Sequence, residues 1–163
     1  MQSVALAATT FVGQNLGIGN VERAKKGVRS ALLISMATTA ILMVPVLLFA
    51  PDLTAFFNAK PEVIRYGTLL LRWLSPFYIL CCVNQVYAGA LRGAGNSQVP
   101  MILMLSSFVV FRQCYLYVMS HFICNEVLPI ALSYPAGWIV CSVATLLYYR
   151  RAKLDKTTLV NDL

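Results

Sequence analysis

Long stretches of the chain carry no charge, and this feature decides what the chain can fold into. Residues 30–50 form a run of twenty-one uncharged residues, and residues 127–149 form a run of twenty-three. A helix needs about 20 apolar residues to cross the hydrocarbon core of a bilayer, so each run is long enough for one crossing. Only 12% of all residues are charged, about half the share found in soluble domains. The sequence therefore predicts an all-α membrane protein and excludes an ordinary soluble globule and a disordered chain.

The apolar runs predict a bundle of four complete transmembrane helices and the end of a fifth. The apolar run at the start of the chain, residues 4–12, is too short to cross the bilayer. It is interpreted as the final half of a helix whose beginning precedes residue 1. The predicted spans are residues 1–16, 30–50, 66–91, 99–120 and 127–149, with a connector at 51–65 and a tail at 150–163.

The basic residues between these spans orient the bundle. The loops on one side, 22–29 and 92–98, together with the tail hold nine lysines and arginines, whereas the loops on the other side hold two. Positively charged loops stay in the cytoplasm, so this bias predicts a cytoplasmic C-terminus. The net charge of +7 is therefore interpreted as a topology signal, and we expect no nucleic-acid partner.

Two turns on the predicted cytoplasmic side share a pattern. Residues 17–20 read GIGN and residues 93–96 read GAGN, an offset of 76 residues. Glycine suits the end of a helix because it adopts left-handed backbone conformations, and asparagine can bond to nearby backbone. The repeat at the spacing of a helical hairpin indicates a fold built by duplicating helix pairs.

The sequences around both turns resemble one family of transporters. Residues 13–24 read GQNLGIGNVERA and resemble the signature GQ-x-LGAG-x-x-x-x-A of the multidrug and toxic compound extrusion (MATE) family. Residues 90–100 read ALRGAGNSQVP and resemble the LRGxGxxxxP turn of that family, and residues 135–138, PAGW, look similar to its bacterial members. The turn residues that carry the resemblance are Gly13, Gln14, Gly17, Gly19, Arg92, Gly93, Gly95 and Pro100.

The resemblance implies a fold and an activity. MATE transporters have twelve helices in two lobes, and on this mapping residues 1–149 are part of the C-terminal lobe, from the end of helix 8 through helix 12. The family resemblance implies secondary active export of xenobiotics, coupled to Na⁺ or H⁺, in the bacterial inner membrane, with no other cofactor. The implied partners are the lipid bilayer, amphipathic or cationic small molecules, and the missing N-terminal portion of the same transporter. Two alternatives stay open: a small noncatalytic membrane subunit, and an exporter or flippase of the wider superfamily.

The acidic residues and cysteines predict neither a coupling site nor a metal site. All six acids lie in loops, at helix ends or in the tail, whereas a coupling carboxylate belongs inside the membrane. No two of the five cysteines have the C-x-x-C spacing of a metal or redox site. The sequence also lacks a nucleophile–base arrangement, so an enzyme is not expected.

Polar residues inside the spans are the candidate substrate contacts. Arg112 and its neighbour Gln113 lie near the middle of a span, where an arginine normally faces a cavity or a partner. Arg112 is expected either to line a cavity or to bond to a carbonyl or an asparagine of a neighbouring helix. Asn84 and Gln85 are expected to hold helices together or to reach the cavity.

Aromatic residues complete the set of candidates. Tyr78 follows Pro76, which predicts a kink whose freed carbonyls could line a cavity. Tyr115, Tyr134 and Trp138 are expected to offer aromatic faces to a cationic substrate or to pack between helices.

Overall fold

The computed structural model describes residues 1–123 and 130–152, which are almost entirely helical and contain no strand. Their α-helices are α1 (Gln2–Gly17), α2 (Val21–Leu48), α3 (Ala50–Phe57), α4 (Pro61–Leu74), α5 (Tyr78–Gly93), α6 (Gln98–Leu105), α7 (Arg112–Val118) and α8 (Ser133–Arg151). A 3₁₀ turn over Ser75–Phe77 joins α4 to α5, and π-helical segments over Ser106–Phe111 and Met119–Ile123 flank α7.

Three helical stretches within the described ranges are long and apolar enough to cross a membrane. They are Val21–Leu48, Pro61–Gly93 and Gln98–His121. The all-α membrane fold expected from the sequence is confirmed. The start of the predicted span 127–149, Glu126 in the preceding turn and most of the tail lie outside the described residues, so the number of complete crossings stays a prediction.

Helix α2 begins nine residues before the predicted span at 30–50. The side chain of Asn20 accepts a hydrogen bond from the Arg23 backbone N–H at 3.0 Å and so caps the helix. Lys26 and Glu22 form an i,i+4 ion pair at 2.8 Å on the first turns. The basic stretch is therefore a helical extension of the span and not a loop.

The connector at 51–65 is also largely helical, which the sequence analysis did not predict. Helix α3 occupies its first half, and α4 begins at Pro61. Both helices have a proline within their first two positions and an acid, Asp52 or Glu62, in the first turn. Both features favour helix initiation, since proline needs no N–H there and the carboxylate complements the helix dipole.

Helices α1 and α5 pack with their backbones almost in contact. A Cβ atom on Gly89 would lie 2.5 Å from the carbonyl oxygen of Ala5, and one on Gly93 would overlap the carbonyl oxygen of Thr9. The Thr9 hydroxyl donates to the Gly89 carbonyl across the interface at 2.9 Å. Small residues four apart on both helices make this approach possible. Helix α2 packs against both members of this pair.

The two repeated turns have the same backbone geometry. Gly19 has φ of 76° and Gly95 has φ of 84°. The backbone N–H of Asn20 and of Asn96 each donates to the carbonyl five residues earlier, at 2.8 and 3.0 Å. Each asparagine side chain then accepts from the backbone N–H three residues later. Both turns thus end one helix and begin the next in the manner expected from their sequences.

Replacing Gly19 by alanine is expected to destabilise the chain by about 1 kcal/mol, because an L-residue is strained at this positive φ. Gly17 is the matched control: it is helical, and no atom lies within 4 Å of the position of an added Cβ. Gly17→Ala should leave stability unchanged or raise it by up to about 1 kcal/mol. Unfolding in mixed micelles, followed by circular dichroism, measures both. Equal changes in the free energy of unfolding of the two variants, in the same direction, would contradict the left-handed geometry at Gly19.

Candidate functional site

Arg112 begins helix α7 directly after the π-helical segment Ser106–Phe111. A π turn holds more residues than an α turn, so it rotates the helix that follows, and such segments are frequent at functional sites. In this orientation the Arg112 guanidinium lies over the ring of Tyr134, with Cζ 3.7 Å from the ring centroid. This is a cation–π contact between α7 and the first turn of α8.

Two further aromatic rings continue from this contact. The Tyr134 ring lies 6.2 Å from the Trp138 ring, and the Trp138 ring lies 5.2 Å from the Tyr78 ring at the start of α5. Arg112, Tyr134, Trp138 and Tyr78 are called the arginine–aromatic row below. The structure thus brings together four of the eight residues that the sequence analysis singled out as substrate contacts.

Part of the row is exposed at the surface of the described bundle. Tyr134 is 43% exposed and Tyr78 is 42% exposed, while Arg112 and Trp138 are half-buried. Gly137 lies between the two row residues of α8 and beside the π segment, where an added Cβ would lie 3.4 Å from the Ser107 carbonyl oxygen, an ordinary contact. Residues 135–138 therefore place Trp138 on a turn of α8 that packs beside the π segment.

One nitrogen of the Arg112 guanidinium has no hydrogen-bond partner among the described residues. This atom, Nε, is buried. The expected bond to a carbonyl or an asparagine of a neighbouring helix is absent for this atom among the described residues, and the Tyr134 ring takes its place. The described Glu22, Asp52 and Glu62 all lie in the first turns of helices.

Gln113 and Tyr115 lie outside the row. Gln113 is exposed and borders an open depression of about 700 Å³ together with Tyr117 and His121. Tyr115 is half-buried, and its ring lies 6.5 Å from the ring of Phe111. Neighbouring positions on a helix point about 100° apart, so Gln113 cannot share the direction of Arg112.

Asn84 and Gln85 have different surroundings. Asn84 is 2% exposed, and its side-chain oxygen accepts a hydrogen bond from the Thr145 hydroxyl at 3.3 Å, which links α5 to α8. Gln85 is half-buried and lines a cavity of about 160 Å³ that Gln2 and Arg92 also border. The contact of Asn84 is typical of a residue that holds helices together.

The residues of the two turn motifs lie away from the row. Arg92 is exposed, and its Nε donates to the Ala88 carbonyl at 3.2 Å. Gln14 is exposed, and Pro100 is buried in the first turn of α6. The side chain of Asn96 donates to the Tyr148 hydroxyl at 2.8 Å and ties the second turn to α8.

A cavity of about 300 Å³ adjoins Tyr78, at the end of the row opposite Arg112. Ser35, Thr38, Thr39 and Ser75 contribute hydroxyls to its lining, which is otherwise mostly apolar. Ser35 is 2% exposed, and its Oγ atom has no hydrogen-bond partner. The sequence analysis missed these α2 residues. Their helical spacing within an apolar run, at positions 35, 38 and 39, was the available signal.

No metal centre is visible in residues 1–123 and 130–152, where no group of three or more histidine, cysteine or acidic side chains could hold an ion. Cys82 instead lies 3.1 Å from the Thr39 hydroxyl, with either atom as the donor. The chemistry of the described site is therefore that of apolar surface, hydroxyls, aromatic rings and one guanidinium.

Comparisons with known proteins give the same family throughout. The MatE family model matches residues 1–118. The chain is 27% identical over 153 residues to the probable multidrug resistance protein NorM of Thermotoga maritima, covering 94% of this chain and 33% of the relative. It is 29% identical over 144 residues to the probable multidrug resistance protein YpnP of Bacillus subtilis, covering 88% of this chain and 32% of the relative.

The fold matches a solved transporter structure as well. An inward-facing structure of a multidrug resistance MATE family transporter of the MOP superfamily superposes with a TM-score of 0.85 at 21% identity, covering 94% of this chain and 36% of that one. The chain spans about a third of the length of the relatives it matches. With the family model matched over most of its length and the fold shared, the chain is a multi-pass membrane protein that belongs to the MatE family.

Proposed function

We propose that this chain forms part of the C-terminal lobe of an exporter of amphipathic small molecules, and that the arginine–aromatic row and the cavity beside Tyr78 line its substrate route. The observation that carries this proposal is their continuity: one ring, Tyr78, belongs to both. Mostly apolar cavities with a few polar groups are the usual form of small-molecule sites. The relatives named as probable multidrug resistance proteins support the same activity.

The chain would supply the wall of the route and not the coupling site. Antiport with Na⁺ or H⁺ usually needs an intramembrane carboxylate, and the described acids lie in the first turns of α2, α3 and α4. The described residues therefore supply no intramembrane carboxylate for coupling. The distribution of lysine and arginine supports a cytoplasmic C-terminus, and the bacterial relatives support placement in a bacterial inner membrane.

The close pairing of α1 and α5 suits a lobe that moves as a unit. Backbone contact through Gly89 and Gly93 leaves little room for the two helices to slide or separate. Alternating access in secondary transporters is largely the rocking of one such bundle against another. The cavity and the row would therefore move together, presented to one side of the membrane and then to the other.

A chimeric transporter tests the proposal. The chain replaces the matching third of the Thermotoga maritima relative, and pump-deficient bacteria report the accumulation of one cationic dye, ethidium, and one anionic dye, fluorescein. The chimera is expected to lower the accumulation of at least one dye, whereas the 163 residues alone should lower neither. Export by the 163 residues alone would contradict the proposal, and so would a folded, membrane-inserted chimera that exports neither dye.

Narrowing the cavity should weaken export in the chimera. Thr38 is exposed and lines the cavity, so Thr38→Trp fills part of it, and we expect export to fall about tenfold, since lost substrate contacts of about 1.4 kcal/mol give that factor. Leu33 is 68% exposed on the same helix and does not line the cavity, which makes Leu33→Trp the matched control. Equal export by the two variants at equal expression would exclude the cavity from the substrate route.

A further inference from the structure

We propose that the arginine–aromatic row selects a planar aromatic anion, such as an aromatic carboxylate or sulfonate, over an aromatic cation. This inference rests on the proposed function, because it names the substrate class of the same site. Three observations support it: the Nε–H of Arg112 has no described acceptor, Arg112 covers one face of the Tyr134 ring, and the rings of Trp138 and Tyr78 follow that of Tyr134.

The guanidinium is a charge without a counter-charge in the described part of the molecule. Its Nε–H is buried and donates to no described acceptor, and the three described acids lie in the first turns of other helices. An arginine inside a membrane protein normally pairs with an acceptor because an uncompensated charge is costly there. A carboxylate on the substrate would supply this missing partner through a planar, charge-assisted contact.

The aromatic face that a cation would need is already occupied. Arg112 covers one face of the Tyr134 ring, with Cζ 3.7 Å from the centroid, so the cation–π position on that face is filled by the protein's own side chain. A second cation placed beside it would meet like charge in a low dielectric, where repulsion is strong. The expectation that Tyr134 receives a cationic substrate therefore does not fit this arrangement.

The rings beyond Arg112 fit the rest of such a ligand. Tyr134, Trp138 and Tyr78 follow one another with centroid distances of 6.2 and 5.2 Å, within the usual range for interacting aromatic rings. A ligand with its anionic group at Arg112 would place its ring system against Tyr134 and Trp138. An apolar extension would then reach the cavity beside Tyr78.

The chain has a built-in reporter for this site. It contains two tryptophans, Trp73 and Trp138, and Trp73→Phe leaves the tryptophan of the row as the single emitter. The probes are 1-pyrenebutyrate and (1-pyrenyl)butyl-trimethylammonium, which share one ring system and carry opposite charges. Energy transfer from Trp138 to pyrene is titrated with the full chain in nanodiscs of zwitterionic lipid. Tryptophan is excited at the red edge of its absorption band, where 4-phenylbutyrate does not absorb. Protein-free nanodiscs and an excess of this competitor define the saturable part.

The butyrate probe is expected to bind at least tenfold more tightly than the ammonium probe. Arg112→Gln should weaken binding of the butyrate at least tenfold without weakening binding of the ammonium probe. Arg72→Gln is the matched control, because Arg72 is an exposed arginine outside the row, and it should change neither affinity. Arg112→Lys keeps the charge but loses the planar fork, so it should fall between the wild type and Arg112→Gln and serves where the glutamine variant fails to fold.

Three results would overturn the inference. They are tighter or equal binding of the ammonium probe, unchanged butyrate affinity in both folded Arg112 variants, and saturable binding of neither probe. The first two leave the proposed export function standing, because dye export by the chimera measures that function separately. Loss of dye export with intact charge selectivity would instead overturn the proposed function and leave the site as a binding site for aromatic anions.

Discussion

Replacing Gly93 by alanine is expected to destabilise the fold by about 2–3 kcal/mol, more than the alanine replacements of Gly17, Gly19 and Gly137. The added Cβ would overlap the carbonyl oxygen of Thr9 and lie 3.1 Å from that residue's Cα. These are backbone atoms, so no side-chain rotation can relieve the clash. Helix α1 would have to move away from α5.

Moving α1 would also weaken its other contacts with α5. The Thr9 hydroxyl would lose its 2.9 Å bond to the Gly89 carbonyl. Val12 and Leu16 of α1, which are 0% and 3% exposed, would lose part of their packing against Val86 and Ala90. Since interhelical packing drives association within a membrane, these losses add to the steric cost of the methyl group.

Gly137→Ala is the matched control for this prediction. Its Cβ would meet the Ser107 carbonyl oxygen at 3.4 Å and a Phe108 ring carbon at 3.6 Å, which are ordinary contacts. Alanine also favours a helix over glycine, so the control should change stability by less than about 1 kcal/mol. Unfolding of both variants in mixed micelles measures the difference. A Gly93→Ala variant as stable as Gly137→Ala would show that α1 and α5 do not approach as closely as described.

The sequence predicted the helices better than it predicted how they pair. Charge-free runs define membrane helices because the bilayer requires them, and the repeated GxGN turns follow from the backbone freedom of glycine. The pairing of α1 with α5 depends on small residues four apart, Ala5 and Thr9 on one helix and Gly89 and Gly93 on the other. This signal was present in the sequence, but it does not say which two helices meet.

The residue types of the candidate site could be predicted from the sequence, but the directions in which their side chains point could not. Arg112 was expected inside a span, and its surroundings depend on the π segment Ser106–Phe111 that precedes it. A single wide turn changes the helix face on which every later residue lies, and the spacing of apolar residues in the sequence does not reveal such a turn. Tyr134 and Trp138 are four residues apart and so share a helix face, whereas the contact of Trp138 with Tyr78 joins residues more than fifty positions apart.

Replacing Trp138 by alanine is expected to destabilise the fold by about 2–4 kcal/mol, since the half-buried indole is the central ring of the row. Both of its ring contacts, to Tyr78 at 5.2 Å and to Tyr134 at 6.2 Å, would be lost. Each such contact contributes about 0.5–1.5 kcal/mol beyond burial. Trp138→Phe keeps an aromatic ring at the same position and should recover about half of the lost stability.

Trp73→Ala is the matched control, because it separates the effect of breaking the row from the effect of losing any tryptophan side chain. Trp73 is 53% exposed and has no aromatic ring contact within the described ranges, so Trp73→Ala should cost less than about 1 kcal/mol. The two alanine variants are compared by unfolding in mixed micelles. Double variants with Tyr78→Leu then test the coupling between the rings. In the Trp138→Ala background, the loss of unfolding free energy caused by Tyr78→Leu should be smaller by about 1 kcal/mol. In the Trp73→Ala background, that loss should be the same as in the wild type. Equal costs in both backgrounds would mean that the rings of Tyr78 and Trp138 do not stabilise each other, and the continuity between the row and the cavity would lose its physical basis.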